Sequence, residues 1–246
     1  MERESRVNRI ERDDGGAAPG WMPLPQVVAR KLQTMILNGT LKPGDRIPSQ
    51  RVLSDSFSVS RASLREALLT LETLGLIRTE PGRGTFVTAG RQSPDAADLK
   101  WRYADSYPMP DVFQTRLMLE SQISAAAAAV IGAMPLAALA EATDRMERCW
   151  EEGDLLSNVE ADLAFHLAIA QSCGNRLLLT LYDTVRSLLT ETQRQPIPRT
   201  RSDRMRESLA EHRAVIAALA AGDAEAARQA MAAHVRNTAL CAGIVI

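Results

Sequence analysis

Hydrophobic positions in the first part of the chain recur at helical spacing. Over residues 24–38 the apolar residues Val28, Leu32 and Met35 fall on one face, and Gly39 follows the segment. A stripe with this period is typical of an amphipathic helix, and glycine commonly ends one. We therefore predict a first helix over residues 24–38.

Two further helices are predicted by serines in capping positions. Ser49 can cap a short helix that runs to about Phe57, and Ser60 can cap another that runs to about Leu74, with Val59 in the turn between them. The second of these helices carries an apolar stripe that we expect to be buried: Leu64, Ala67, Leu68, Leu71 and Leu74.

A β-hairpin is predicted next. Residues 76–79 and 85–88 read as two short strands, and Pro81 and Gly82 lie between them. Proline and glycine at the two central positions favour a type II turn, because glycine adopts the required positive φ without strain. Three helices followed by such a hairpin are typical of a winged helix-turn-helix.

The remainder of the chain is predicted to be helical. Proline or glycine interrupts the apolar pattern at positions 135, 153, 174, 196, 198 and 222. These interruptions separate six helices, near residues 111–132, 135–152, 154–173, 175–195, 202–221 and 223–243. Short connections favour an antiparallel bundle. The predicted fold class is mainly α, an N-terminal winged helix-turn-helix followed by a C-terminal antiparallel α-helical bundle.

These patterns divide the chain into four segments. Residues 1–20 alternate charges and are expected to form a disordered tail. Residues 21–90 are the winged helix-turn-helix domain, and residues 91–109, with several prolines, are a linker. Residues 110–246 are the helical domain.

Composition excludes several classes of protein. The apolar run at residues 123–134 is too short to span a bilayer, and residues 1–20 lack the apolar core of a secretory signal. Three widely spaced cysteines form neither a disulfide framework nor a CxxC metal pair. We therefore expect a cytoplasmic protein with no membrane partner.

Charge is distributed unevenly along the chain, although the formal net charge is only -1. Between residues 21 and 91, ten lysines and arginines face five acidic residues, whereas from residue 92 onward fifteen face twenty. A basic small domain joined to an acidic larger one suits polyanion binding by the first part alone.

Arginines lie where a winged helix-turn-helix contacts DNA. Arg61 and Arg65 are four residues apart at the start of the third helix, on the face opposite its apolar stripe. Side chains in those turns reach base edges in the major groove, and the arginine fork matches guanine O6 and N7. The alternative is a solvated basic face, but the turn, the hairpin and the charge together favour DNA. Further candidates for phosphate or groove contacts are Arg46, Arg51, Ser60, Ser63 and Arg83.

Residues 24–88 resemble the N-terminal domain of GntR-family transcriptional regulators. The segments that carry the resemblance are residues 44–51, 59–61, 64–68, 74–77 and 82–87. The resemblance implies that Gly82 lets the wing approach the minor groove. The other DNA contacts that it implies are Arg51, Ser60, Arg61, Ser63 and Arg65.

The three histidines of the chain all lie in its helical half. Asp162 precedes His166 by four residues, so both project from one helix face, while His212 and His234 belong to the fifth and sixth helices of the predicted bundle. Imidazole and carboxylate ligands from facing helices build metal sites inside bundles, and this set suits Zn²⁺ or a neighbouring divalent ion. Hydrogen-bonded structural histidines are the alternative.

Residues 111–243 resemble the C-terminal effector domain of the FadR-like subgroup of GntR regulators. The resemblance is carried by Arg116-x3-Glu120, Asp162-x2-Phe165-His166, Gly174-Asn175, Glu211-His212-x3-Ile216, and Gly222-Asp223 followed by His234. It implies a divalent metal, Zn²⁺ first with Ni²⁺ or Mn²⁺ as alternatives. The implied ligands are Asp162, His166, His212 and His234.

The same resemblance implies an effector, a small carboxylic acid seated on the metal. Arg116 and Asn175 are its implied effector-binding residues. A second role for Arg116 is equally open, because Glu120 lies four residues further on and the two can form an ion pair.

The sequence thus predicts a ligand-responsive transcriptional regulator that binds a palindromic operator in double-stranded DNA as a homodimer. An enzyme is not favoured, because outside the proposed ligands there is no histidine to act as a general base, and no HExxH motif or nucleophile elbow occurs. The alternative function is a constitutive DNA-binding protein whose helical domain only dimerises.

Overall fold

The computed structural model describes residues 23–89 and 101–246. They belong to two compact units, one on each side of that gap. The predicted tail at residues 1–20 and the first ten residues of the predicted linker lie outside the described residues.

The first unit contains three helices and a hairpin. In chain order they are α1 Leu24–Leu37, α2 Gln50–Phe57, α3 Arg61–Thr73, β1 Ile77–Glu80 and β2 Gly84–Val87. Ser49 and Ser60 cap α2 and α3 through their hydroxyl oxygens, as predicted. The apolar stripe predicted on α3 is buried, and it forms the core of the unit with Leu32 and Leu53.

The hairpin is antiparallel and each strand lies one residue away from its predicted position. Its register runs from Ile77 opposite Val87 to Glu80 opposite Gly84. The Arg83 amide donates to the Glu80 carbonyl at 3.0 Å, and Gly82 has a φ of +73°. This is the hydrogen bond and the glycine conformation that the predicted turn requires.

The segment before α2 lies along the free edge of β2. The Gly44 amide donates to the Val87 carbonyl at 2.9 Å, and the Ile47 amide donates to the Thr85 carbonyl at 2.8 Å. These bonds tie the hairpin to the body of the unit, so the turn at Gly82 projects from a fixed base.

The second unit contains six α-helices and a short 3-10 helix, Ile197–Arg199, among its described residues. The α-helices are α4 Met109–Ala128, α5 Ala133–Glu152, α6 Leu155–Gln171, α7 Arg176–Arg194, α8 Ser202–Ala220 and α9 Ala224–Cys241. Helix α5 packs against α6, α8 against α9, and α4 against both α7 and α9. The predicted fold class is confirmed. In the parts of the chain that are described, no helix combines the length and apolarity needed to cross a membrane.

Helix α4 begins inside the predicted linker. Its N-cap is Pro108, and Pro110 lies in its first turn. The helix was predicted near residue 111, so it begins two residues earlier than predicted. The missing amide hydrogen of a proline costs nothing in a first turn, where amides have no partner within the helix.

Candidate functional site

The four side chains predicted as metal ligands come together in the helical unit. Asp162 and His166 project from α6, His212 from α8 and His234 from α9. One ligand atom of each lies within 4.8 Å of the others. Two ligands on opposite sides of one metal ion are about 4–4.4 Å apart, so the four side chains are close to a coordinating arrangement.

The hydrogen bonds of His212 direct one nitrogen toward the cluster. Its Nδ1 lies 2.7 Å from the carbonyl oxygen of Ser208, and its Nε2 lies 2.9 Å from Oδ1 of Asp162. A carbonyl oxygen only accepts, so Nδ1 carries a hydrogen and the neutral ring presents the lone pair of Nε2 to a carboxylate. A cation between these two atoms, a proton or a metal ion, satisfies both.

His234 presents a nitrogen in the same way. Its Nδ1 lies 2.9 Å from Oε2 of Glu211, which is also held by Arg204 and leaves Nδ1 as the donor. Its Nε2 is buried and has no hydrogen-bond partner among the described residues. A buried imidazole lone pair without a partner is unfavourable, and a metal ligand is the role that removes this cost.

His166 is held by groups on three sides. Its Nδ1 lies 3.0 Å from Oε2 of Glu120, a contact whose angle falls outside that of a hydrogen bond. Its Nε2 lies 3.1 Å from Nη2 of Arg116 and 3.7 Å from Oδ1 of Asp162. Each of the three histidines thus has Nδ1 against an oxygen outside the cluster and Nε2 turned toward it. In His166 a metal ion would have to replace the guanidinium of Arg116 at Nε2.

The pKa values of the cluster residues give them different protonation states. Burial raises the pKa of Asp162, but the contacts with His166 and His212 together outweigh burial and hold that pKa well below its usual value. Burial lowers the pKa of His166, but the charge of Glu120 and the contacts with Asp162 and Glu120 together outweigh burial and raise the pKa to about 9. Burial and then the charge of His212 lower the pKa of His234 to about 3. Asp162 is therefore charged and His234 neutral, as metal ligands must be, whereas His166 has to give up a proton when a metal ion binds.

The donor set fits a divalent metal ion. Three imidazole nitrogens and one carboxylate oxygen are ligands of Zn²⁺ and of neighbouring first-row ions. Phe165 packs edge-on against His166 and His212, with ring centroids 5.5 and 4.6 Å apart. This packing restricts both rings, so the residues present can hold the ion in a preformed site.

The two predicted effector-binding residues occupy different places. Arg116 is completely buried, and its Nε donates to Oε2 of Glu120 at 3.1 Å. The ion pair that the sequence left open is thus present, beside His166. Asn175 caps α7, where its Oδ1 accepts from the amides of residues 177 and 178. Neither residue lines the cavity described next, so their effector roles stay predictions.

A cavity of about 50 Å³ borders the cluster. Asp162 and His234 form part of its wall, together with Gln193, Thr200 and Arg204. The sequence did not indicate Gln193, which belongs to a polar run at the end of α7 that resembles a solvated surface. Its burial depends on tertiary packing, and no local pattern signals it.

Sequence reasoning also missed the supporting role of Glu211. This carboxylate accepts from Arg204 at 2.9 and 3.1 Å and from Asn237 at 2.7 Å, besides its contact with His234. Burial raises its pKa, but hydrogen bonds from His234 and Arg204 outweigh burial and lower it to about 2. Glu211 therefore holds the His234 ring as a charged group.

The predicted DNA-reading arginines are exposed on the first unit. Arg61 and Arg65 lie in the first two turns of α3, and neither forms an ion pair with any residue that the structure describes. The hydroxyls of Ser60 and Ser63, at the same helix end, lie 2.9 Å apart. The surface offers guanidinium groups and helix amides to a polyanion, as the predicted interface requires.

The other predicted DNA contacts lie around the hairpin and α2. Arg83, at the turn, pairs with Glu80 and covers the ring of Phe86. Arg51 is exposed, with Asp55 3.9 Å away.

Arg46 packs closely against Gly84. A Cβ at position 84 would lie 2.6 Å from Nε of Arg46. A Cβ at Gly82 would meet nothing within 4 Å, so the positive φ, and not space, is what calls for glycine there.

Family models match both units. Residues 24–87 match the model described as bacterial regulatory proteins, gntR family. Residues 111–237 match the model described as FCD domain. Each match covers nearly the whole of one predicted domain.

Characterised relatives align along most of the chain. The HTH-type transcriptional regulator LutR of Bacillus subtilis is 35% identical over 213 residues, which cover 82% of this chain and 94% of that protein. The Uxu operon transcriptional regulator of Escherichia coli is 30% identical over 220 residues, which cover 86% and 84% of the two chains. Among solved structures, E. coli McbR/YncC superposes with a TM-score of 0.51 at 23% identity, covering 89% of this chain and 97% of its own, and supports the fold alone.

Proposed function

The chain belongs to the GntR family of bacterial regulatory proteins and carries an FCD domain, and from this premise we propose that it is a metal-dependent sensor of a small carboxylic acid. As a member of this family it is a DNA-binding transcriptional regulator and not an enzyme. The proposal adds the metal, the chemical class of the effector, and a dimer on a palindromic operator.

The observation that carries the proposal is the convergence of four ligand-type groups. Asp162, His166, His212 and His234 present one ligand atom each within 4.8 Å. The Nδ1 atoms of His212 and His234 are occupied elsewhere, and the Nε2 of His234 is buried without a partner. Histidines with a purely structural role do not need this arrangement, because each would be satisfied by its own hydrogen bonds.

A bound divalent ion would supply a Lewis-acidic seat for a carboxylate. Four protein ligands leave one or two coordination positions open on a five- or six-coordinate ion. The cavity beside Asp162 and His234 leads to the cluster and admits only a small molecule. Arg116 is the second group that we assign to the carboxylate of the effector, since its Nη2 lies 3.1 Å from Nε2 of His166.

The effector would act by linking helices. The proposed ligands come from α6, α8 and α9, and Arg116 comes from α4. An acid bound among them makes contacts that depend on how these four helices pack. Such differential contacts are what a ligand needs in order to shift a conformational equilibrium.

The DNA-binding half would act as one of two copies. A single winged helix-turn-helix buries a small area and reads few base pairs, so useful affinity needs a pair of modules on two half-sites. We assign base contacts to Arg61 and Arg65 at the start of α3. The remaining backbone and groove contacts are assigned to Arg46, Arg51, Ser60, Ser63, Gly82 and Arg83.

Elemental analysis of the purified chain tests the metal directly. We expect about one Zn²⁺, Ni²⁺ or Mn²⁺ per chain, and a large loss of metal in Asp162→Asn. Asp183→Asn is the matched control, because Asp183 is an exposed aspartate on α7. The sensor proposal is wrong if the purified protein contains no metal and none of the three ions raises its thermal stability. The remaining function would then be that of a constitutive DNA-binding protein.

A further inference from the structure

One side chain in the cavity beside the metal cluster has no hydrogen-bond partner among the residues that the structure describes. Gln193 is only 3% exposed, and neither its Oε1 nor its Nε2 forms a hydrogen bond with any described residue. It lines the same cavity as Asp162 and His234. Burying an amide with both polar atoms unpaired is unfavourable, so such a group in a binding cavity points to a ligand that pairs with it.

Neighbours of Gln193 on α7 do not share this property. The Thr192 hydroxyl donates to the Leu189 carbonyl at 2.6 Å, and the Glu191 carboxylate accepts from Arg194 at 2.7 Å. The unpaired amide is therefore specific to the residue that faces the cavity.

The wall away from the cluster has a few polar groups among apolar side chains such as Ile197 and Met205, and it carries no free positive charge. Arg204, which also lines the cavity, is bound through two nitrogens to Glu211 at 3.1 and 2.9 Å. The hydroxyls of Thr200 and Thr238 donate to backbone carbonyls at 2.9 and 2.8 Å, so their lone pairs remain available as acceptors. Such a wall suits hydroxyl groups and gives no partner to a second carboxylate.

Charge balance also favours a ligand with a single carboxylate. Arg116 is compensated by Glu120 and Arg204 by Glu211. A divalent ion with Asp162 would then leave one positive charge, which one carboxylate neutralises. A dicarboxylate would bring an excess negative charge among largely buried groups, which is costly.

We propose that the effector is a monocarboxylic acid with a hydroxyl group on the part of the molecule remote from the carboxylate, and that the amide of Gln193 recognises this hydroxyl. This inference rests on the proposed function, since it takes the carboxylate to sit on the metal. A hydroxyl can donate to Oε1 and accept from Nε2, so it pairs with the amide in either orientation. Gln193 is then a residue that determines specificity and takes no part in holding the metal.

Calorimetric titration of the Zn²⁺-loaded full chain tests this with two pairs of acids. Lactate is compared with glycerate, and 2-hydroxybutanoate with 2,4-dihydroxybutanoate, so that each pair differs by one remote hydroxyl at a different distance. We expect the wild-type chain to prefer the hydroxylated member of at least one pair by about tenfold or more, because an acid without it leaves the amide unpaired.

Gln193→Met identifies the residue responsible. Methionine keeps the unbranched shape without the amide, so the preference should vanish while metal content and affinity for the plainer acid stay unchanged. Gln171→Met, an exposed position at the end of α6, should keep the wild-type preference.

Two outcomes would overturn the inference alone: acids that bind in a metal-dependent manner with no preference in either pair, or a preference that persists in Gln193→Met. If no acid binds, or if binding is the same after the metal is stripped, the proposed function fails and the inference fails with it. The wild-type measurement needs no variant, so misfolding of Gln193→Met does not prevent the test.

Discussion

Nη2 of Arg116 lies 3.1 Å from Nε2 of His166, and the Nε of the same guanidinium donates to Glu120 at 3.1 Å. The ion pair is buried, with 0% of Arg116 and 2% of Glu120 exposed. The side chain assigned to the effector is therefore also a structural partner. Its two roles are separable by the choice of substitution.

Removal of the guanidinium should destabilise the helical unit. Arg116→Ala leaves the Glu120 carboxylate buried without its partner, and we expect the free energy of unfolding to fall by about 3–5 kcal/mol. Urea denaturation of the full chain, followed by the fluorescence of Trp101 and Trp150, measures this. Arg116→Met combined with Glu120→Gln should lose less, because it removes both charges. A single variant as stable as wild type would contradict the role of the buried pair.

A lysine at the same position separates the effector role from the structural one. Arg116→Lys keeps the positive charge beside Glu120 but loses the planar fork that binds a carboxylate through two hydrogen bonds. We expect folding and metal content to persist while the acid concentration needed for a response rises about ten- to a hundredfold. An unchanged dose-response would confine Arg116 to its ion pair.

Glu211 should control metal affinity without being a ligand. Its Oε2 lies 2.9 Å from Nδ1 of His234, so Glu211→Ala frees the ring to rotate away. We expect metal affinity to fall about ten- to a hundredfold, as for other residues that orient a ligand. Competition with a coloured chelator measures the affinity. Glu207→Ala is the control, since Glu207 is exposed and lies 3.7 Å from the same Arg204; an equal loss in both variants would refute the positioning role.

The arginines of α3 should determine both affinity and sequence preference. Arg61→Ala or Arg65→Ala is expected to cost about 1–3 kcal/mol in binding to a sequence selected from a random DNA library, and to relax the preference at one position of each half-site. Arg83→Ala should weaken binding to all sequences alike and lower the salt dependence. Arg186→Ala, an exposed arginine of the helical unit, should bind like wild type in the same gel-shift titration. Wild-type binding by the α3 variants would refute the assignment.

Local signals predicted the first unit well, because capping and turn chemistry act over a few residues. Ser49 and Ser60 cap the helices they were expected to cap, and Gly82 has the positive φ its turn requires. Helix α4 begins two residues before its predicted start near residue 111, because Pro110 is tolerated in its first turn.

The metal cluster was only partly predictable from the sequence. Helical periodicity placed Asp162 and His166 on one face, but it carried no information on where α8 and α9 would bring His212 and His234. Glu211 and Gln193 were missed for the same reason. Each looks like a surface residue in its own helix, and its contacts exist only through tertiary packing.

DNA affinity measured with and without metal tests whether the chain is a metal-dependent sensor of a small carboxylic acid. Fluorescence anisotropy with the selected DNA compares Zn²⁺-loaded and chelator-stripped chain, each titrated with hydroxylated monocarboxylic acids of about three to six carbons. We expect at least one acid to change the DNA affinity of the metal-loaded chain about fivefold or more, and the stripped chain not to respond. An equal response from the stripped chain, or no response from a chain loaded with one metal ion, would contradict the proposal of a metal-dependent sensor.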